Sequence, residues 1–330
     1  MSRNSDILEN EILVYDEELL PILLIDRSKT EKEEKPHNVM WGTDNYASRG
    51  KGYREWDEIT VSAISGKHGL VLQPRVNKSK EEQEHRSKDK AEVFTPAWIC
   101  NKQNNLVDAA WFGGKSPFNV EEGQSWKTIK KKIPFPTRDG KTWQDYVKDI
   151  RLEVSCGEAP YLASRYGVVS GKDIAIEDRI GLLDRKMRVV CENVADEKEW
   201  LTWTKEAYKS IYGFEWQGDN LVLAREAMIY TFFDYYKRQF GKMPTKPQTR
   251  SIAKIVSWNL WQMDGLKGVV PGSCHDDVHE ECDLFGATTR TVTACPGCEK
   301  NDINRHNGVY CKIMDWEKNK AIRFVNLLKN

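Results

Sequence analysis

The chain carries no net charge: 50 lysines and arginines offset 50 aspartates and glutamates in 330 residues. A protein that holds DNA by itself uses a basic face, because phosphate contacts dominate that affinity. If nucleic acid is the substrate here, much of the positive surface lies on another molecule. The sequence also lacks any apolar run near the roughly 18 to 20 residues that cross a bilayer, and "ELLPILLI" is interrupted by Pro21. Its first residues, "MSRNSDILENE", have no basic segment followed by an apolar one, which speaks against a secretory signal. These absences predict a cytoplasmic protein with no membrane partner. Eight cysteines then read as reduced thiols or metal ligands rather than disulfides. No two of the 12 prolines are adjacent, and this absence bears on catalysis below.

What is present suffices for one large domain, or one domain with a small appendage, around a substantial core: 39% of the residues are apolar. Three textures follow one another. Residues 1–90 hold short apolar runs, turn-rich pieces such as "SRGKGY" and the charged stretch "NKSKEEQEHRSKDKA". They read as a partly β accessory region followed by a solvated helix or hinge. Residues 91–270 alternate extended pieces, "IRLEVS", "SIYGFE" and "NLWQMD", with helical ones, which predicts an α/β fold with a parallel sheet and crossover helices. Residues 271–330 crowd cysteines and histidines into a separate tail.

Four stretches of the α/β region carry chemistry. In "RLEVSCGEAPYLASRY", Leu152 and Val154 alternate with Glu153 as in a strand, Ser155 to Ala159 form a turn, and Pro160 suits the first turn of a helix. Backbone N–H groups at such a turn suit an anionic or zwitterionic ligand, although an ordinary strand-to-helix turn has the same form. "SIYGFEWQGDNLVLAREAMIYTFFDYY" ends a strand at Glu215, where a carboxylate can accept two ribose hydroxyls. In "IVSWNLWQMDGLKGVVP", Asp264 closes another strand and can meet an adenine amino group. "AEVFTPAWICNKQNNLVD" puts Thr95 and Pro96 at a helix start, with the Thr hydroxyl as cap.

"VFTP", "LEVSCGEAPYL", "IYGFEWQGDNLVLAREA" and "WQMDGL" resemble, in this order, motifs X, I, II and III of the adenine-N6 DNA methyltransferases of restriction–modification systems. The chain is similar to the modification subunits of such systems from about Val71 to Asn330, most closely over Glu92 to Gly268. The resemblance implies a Rossmann-like, S-adenosylmethionine-dependent methyltransferase sheet, complete or incomplete. It also implies roles. Thr95 and Pro96 match the motif at the methionine end of the cofactor, and Glu153, Ser155, Cys156 and Gly157 the turn that wraps it. Glu215 matches the ribose acid, Trp216 the apolar neighbour of the adenine, and Asp264 the acid that reads adenine N6.

Three departures stand out. Ala159 occupies the neighbourhood of the family's second turn glycine. The span from Ala163 to Lys209 exceeds one crossover helix and reads as a helical insertion. Most important, the family activates N6 with an Asn or Asp followed by two prolines and an aromatic residue, and this chain has no such loop. Three readings stay open. The chain is the cofactor-binding half of a split enzyme whose second subunit carries the loop, a complete enzyme using another loop, or an inactive relative with a binding or structural role. The first is favoured by the short run after the third motif, which stops where a continuous enzyme would begin its catalytic strand. DNA would then be engaged mainly through the complex.

In the tail, "CPGC" (Cys295 to Cys298) offers two thiolates for one zinc, with Cys282 and Cys311 each thirteen residues away as the remaining ligands of a closed, structural site. Cys274, His275, His279 and His306 compete for those places, and a loop of free thiols is the alternative. Cys100, Cys156 and Cys191 read as small buried residues, and the 12 tryptophans as core and interface residues.

Overall fold

Packing follows a different division from sequence texture. The computed structural model describes residues 9–31, 35–89, 92, 94–136, 140–282 and 288–329. Where it is regular, the N-terminal region is helical: α1 (Glu9–Tyr15), α2 (Leu19–Leu24) and α3 (Val61–Ile64). The β character expected there is limited, among the described residues, to isolated bridges such as Met40 with Glu58. Leu19, Leu20, Leu23 and Leu24 are fully buried in the same apolar core as Leu221, Phe232, Ile252 and Val256. The core is therefore continuous across residue 90.

The charged stretch forms α4 (Lys80–Asp89), but it is not a wholly solvated helix. Arg86 is buried and meets Asp219 at 2.8 Å. Helix α5 (Ala97–Phe112) begins after Pro96, which stands at the N-cap with no side-chain cap bond, so the expected Thr95 hydroxyl cap is absent. This helix turns its polar face inward. Asn101, Asn104, Asn105 and Asp108 are buried while Leu106 is exposed. Arg185 repays that burial by pairing with Asp108 and donating to the Oδ1 atoms of Asn101 and Asn105, both at 2.9 Å.

A hairpin of β1 (Asn119–Glu122) and β2 (Ser125–Thr128) leads to α6 (Trp143–Lys148), which starts at a Thr142–Asp145 capping box. Strand β3 (Arg151–Val154) follows, and then turns rather than the helix expected at Pro160. Left-handed backbone at Ser155, Gly157 and Ala159, with φ of 52°, 52° and 60°, prevents a helix from propagating. The insertion becomes helical only at α7 (Leu182–Asn193) and α8 (Glu197–Lys209), the latter capped by Asp196.

Then come β4 (Ile211–Glu215), α9 (Gly218–Phe240), α10 (Lys246–Asn259) and β5 (Leu260–Gln262). Strands β3, β4 and β5 form one parallel sheet in that order, with Leu152 opposite Tyr212 and Phe214 opposite Trp261. Among the described residues this is a three-stranded parallel sheet, short of a full Rossmann sheet. The C-terminal part holds the hairpin β6 (Asp277–Cys282) with β7 (Thr288–Thr293), α11 (Pro296–Lys300), and the hairpin β8 (Lys312–Asp315) with β9 (Lys320–Arg323). Among the described residues no helix is long and apolar enough to cross a membrane.

Arg225 of α9 joins these parts. Its buried guanidinium donates to the carbonyls of Leu23, Ile25, Ser257 and Leu260, linking α2, the end of α10 and β5. Arg225→Met strands four carbonyls and should cost about 3 kcal/mol or more. A lower urea midpoint at unchanged slope is the expected readout. Arg225→Lys, with fewer donors, should recover only part of the loss.

Candidate functional site

Strand β3 ends in a turn that strand β4 holds in place. The Cys156 N–H donates to the Phe214 carbonyl at 2.9 Å, and the Gly157 N–H to Glu215 Oε2 at 2.8 Å. Glu215 Oε1 accepts from the N–H groups of Trp216 (2.9 Å) and Gln217 (3.1 Å). Gly213 permits this closeness, since a Cβ there would sit 3.2 Å from both Cβ and Sγ of Cys156.

Beyond the turn and the tips of β3 and β4 lies a cavity of about 540 Å³. Seven of the residues singled out from the sequence line it: Thr95, Glu153, Ser155, Cys156, Gly157, Glu215 and Trp216. Gly42, Thr43, Glu55, Glu92, Phe94, Tyr161 and Asn220 also line it and had no role in the sequence reading. Phe94, Tyr161 and Asn220 lie inside the quoted motifs and Glu92 adjoins one, whereas nothing in the sequence marks Gly42, Thr43 or Glu55. Pro96 caps α5 behind Thr95 and is not part of the lining.

Asp264 stands apart from the cavity lining. Strand β5 ends at Gln262, and Asp264 closes a tight turn beyond it. Its Oδ1 accepts from the N–H groups of Leu266 (3.0 Å) and Lys267 (3.2 Å), and its Oδ2 lies 3.7 Å from Lys267 Nζ. The carboxylate is engaged in that turn and does not line the cavity. Glu215 also departs from expectation. Backbone groups occupy three of the roughly four acceptor positions of a carboxylate, so two ribose hydroxyls would compete with the Gly157 N–H.

The electrostatics are one-sided. Glu55, Glu92, Glu153 and Glu215 line the cavity, and no described Lys, Arg or His does. Burial pushes the Glu153 carboxyl well above its usual range, and the nearby Glu215 adds to this. Burial also raises Glu215, although the N–H groups of Gln217, Gly157 and Trp216 pull it back. The Cys156 thiol is pushed up by burial and by both acids, which leaves it a neutral packing group. Four buried oxygens of lining residues, Thr43 Oγ1, Glu92 Oε2, Glu153 Oε2 and Asn220 Oδ1, have no hydrogen-bond partner among the described residues. Such a lining suits a ligand with hydrogen-bond donors and positive charge and disfavours a phosphate.

A second centre lies in the C-terminal part. Cys274, Cys295, Cys298 and His306 bring their ligand atoms within 4.8 Å of one another and could hold a metal ion. The three sulfurs stand 3.5, 3.6 and 3.7 Å from His306 Nδ1. Tetrahedral zinc, with bonds of about 2.3 Å to sulfur and 2.0 Å to nitrogen, places those atoms about 3.6 Å apart. Gly297 lets the knuckle close, because a Cβ there would lie 2.5 Å from His306 N and Nδ1. Burial works against the Cys295 thiolate, but the N–H groups of Asn307, Cys298 and Gly297 and the His306 side chain bring its pKa down to about 6.

Of the expected ligands, Cys295 and Cys298 belong to this four-residue group. Cys311 instead packs in the core, its Sγ 3.3 Å from the Gln262 carbonyl oxygen. The Cys282 and His279 side chains lie outside the described residues. His275 is exposed and meets Asp277 at 3.5 Å, outside the four-residue group.

Ala159 and Gly157 share left-handed backbone but should respond oppositely to exchange. Ala159→Gly relieves a φ of 60° and should stabilise by up to about 1 kcal/mol, whereas Gly157→Ala, at 52°, should destabilise by about 1 kcal/mol. Urea unfolding of the two variants measures both signs. Compared with protein-family models, curated proteins and solved structures, the chain finds no match.

Proposed function

We propose that this chain is the cofactor-binding subunit of a split S-adenosylmethionine-dependent DNA adenine-N6 methyltransferase of a restriction–modification system. In this reading a structural zinc fills the Cys3His group. The Asn-Pro-Pro-aromatic loop belongs to a second subunit, and DNA is held mainly through the complex. The reading rests chiefly on the acidic cavity at the tips of β3 and β4, lined by seven residues of the motif resemblance. Ser155 and Gly157 would approach the cofactor with backbone, Glu215 with carboxylate oxygen, and Trp216 with its ring edge. Bound cofactor would supply an electrophilic methyl group, and the chain's own part is to hold and orient it.

The need for a second subunit is supported by the sheet. No described strand pairs with the outer edge of β3, and Ile150, Leu152 and Val154 are 69%, 43% and 65% exposed. An open edge beside exposed apolar residues invites a further strand. One observation favours a second reading, a methyltransferase-like binding subunit without transfer: Asp264 is committed to its own turn.

The chain alone should bind S-adenosylmethionine in calorimetry and transfer no radiolabelled methyl group to DNA. Mixed with a subunit carrying the loop, it should methylate adenine N6. Glu215→Ala should weaken cofactor binding at least about tenfold. Transfer by this chain alone at the rate of the mixture would overturn the split reading, and lack of cofactor binding would overturn the site.

For the metal, purified protein should carry close to one zinc per chain by elemental analysis. Cys274→Ser and His306→Ala should each reduce that content strongly, while Cys311→Ser should retain it. Retention by the first two with loss by the third would refute the ligand set.

A further inference from the structure

Within the cavity, Glu92 and Asn220 form a pair whose hydrogen bonding is half complete. Asn220 Nδ2 donates to Glu92 Oε1 at 2.7 Å, and Arg86 reaches the same oxygen at 3.3 Å. Among the described residues the other two atoms, Glu92 Oε2 and Asn220 Oδ1, have no hydrogen-bond partner. The two residues are 7% and 1% exposed and line the cavity wall. Both leftover atoms accept hydrogen bonds, so a donor is missing. Arg86 cannot complete the set, because it meets Asp219 at 2.8 Å and donates to the Tyr46 hydroxyl at 3.0 Å. Two further cations lie near the pair: Arg75 donates to the Glu92 backbone carbonyl at 3.1 Å, and Lys78 Nζ stands 3.8 Å from Asp219, so geometry rather than net charge marks the missing donor.

We propose that the Glu92–Asn220 pair receives a primary ammonium group of the cavity's ligand. On the S-adenosylmethionine reading, on which this inference rests, that group is the amino group of the methionine moiety. An ammonium brings positive charge and three donors, enough for both unpartnered oxygens. Glu92 is thus a specificity residue that distinguishes amino-acid-bearing adenosine ligands from those without the amine.

The test is calorimetry on the full chain with S-adenosylhomocysteine, its desamino analogue and 5′-methylthioadenosine. The desamino analogue should bind wild-type protein at least about tenfold more weakly than S-adenosylhomocysteine. Glu92→Gln should weaken S-adenosylhomocysteine at least about tenfold and leave methylthioadenosine within about twofold. Equal weakening of both ligands would make Glu92 a wall residue only and overturn the proposal. If the variant does not fold, the wild-type comparison decides, and equal affinity for the two homocysteine ligands overturns the proposal. Failure of every adenosine ligand to bind removes the cofactor reading and this inference together, whereas binding without dependence on the amine removes this inference alone.

Discussion

The buried ion pair between Arg86 and Asp219 is the constraint on which the candidate site depends. Removing both charges from water is costly, and burial alone would raise the Asp219 carboxyl. Arg86 and Lys78 more than reverse this and bring its pKa down to about 2. Tyr46 adds a hydrogen bond at 2.9 Å. Through these partners the first turn of α9 fastens α4, the segment around Tyr46 and Glu92 to the tip of β4. Gly218 completes the junction, since its N–H donates to the Trp41 carbonyl and a Cβ there would overlap the Met40 carbonyl oxygen. The N-terminal segment is consequently a wall of the cavity.

The sheet was legible because its residues obey local rules. β3 keeps the period-two alternation, although it turns Glu153 inward and Leu152 and Val154 outward, and β4 is buried throughout. Other features depend on distant partners and leave no local pattern. The buried asparagines of α5 invert the usual amphipathic rule, and Arg185, far along the chain, makes that inversion tolerable. Arg86 sits in a stretch whose composition says solvent, yet Asp219 buries it. Ala159 adopts left-handed backbone that glycine takes more freely, a conformation its residue type does not announce.

The Cys3His group shows the same division. The closely spaced cysteines of "CPGC" announce themselves, but Cys274 and His306 join them through strand-like pairing. Val269 bridges Tyr310, and the Val270 N–H donates to the Val309 carbonyl at 2.8 Å. This pairing carries Cys274 towards His306. Cys311 follows Tyr310 by one residue and faces the opposite side, into the core. The symmetric spacing of Cys282 and Cys311 about the knuckle therefore has no structural counterpart for Cys311.

Gln262 connects the cavity wall to the C-terminal part. Its side chain donates to the Met40 and Trp216 carbonyls beside the cavity, and its backbone carbonyl accepts from Cys311. From that point the C-terminal part spreads over one face of the sheet, with Phe324 and Ile313 packed among Trp261, Phe214 and Tyr212. Residues paired in a parallel sheet share a face, so Leu152 and Val154 extend this surface beyond Tyr212 and Phe214. Coverage reaches β4 and stops there, leaving those two side chains substantially exposed. Among the described residues the unpaired edge of β3 and the uncovered part of its face thus coincide. A single added element, a strand along that edge with apolar residues on that face, would satisfy both the backbone and the apolar surface.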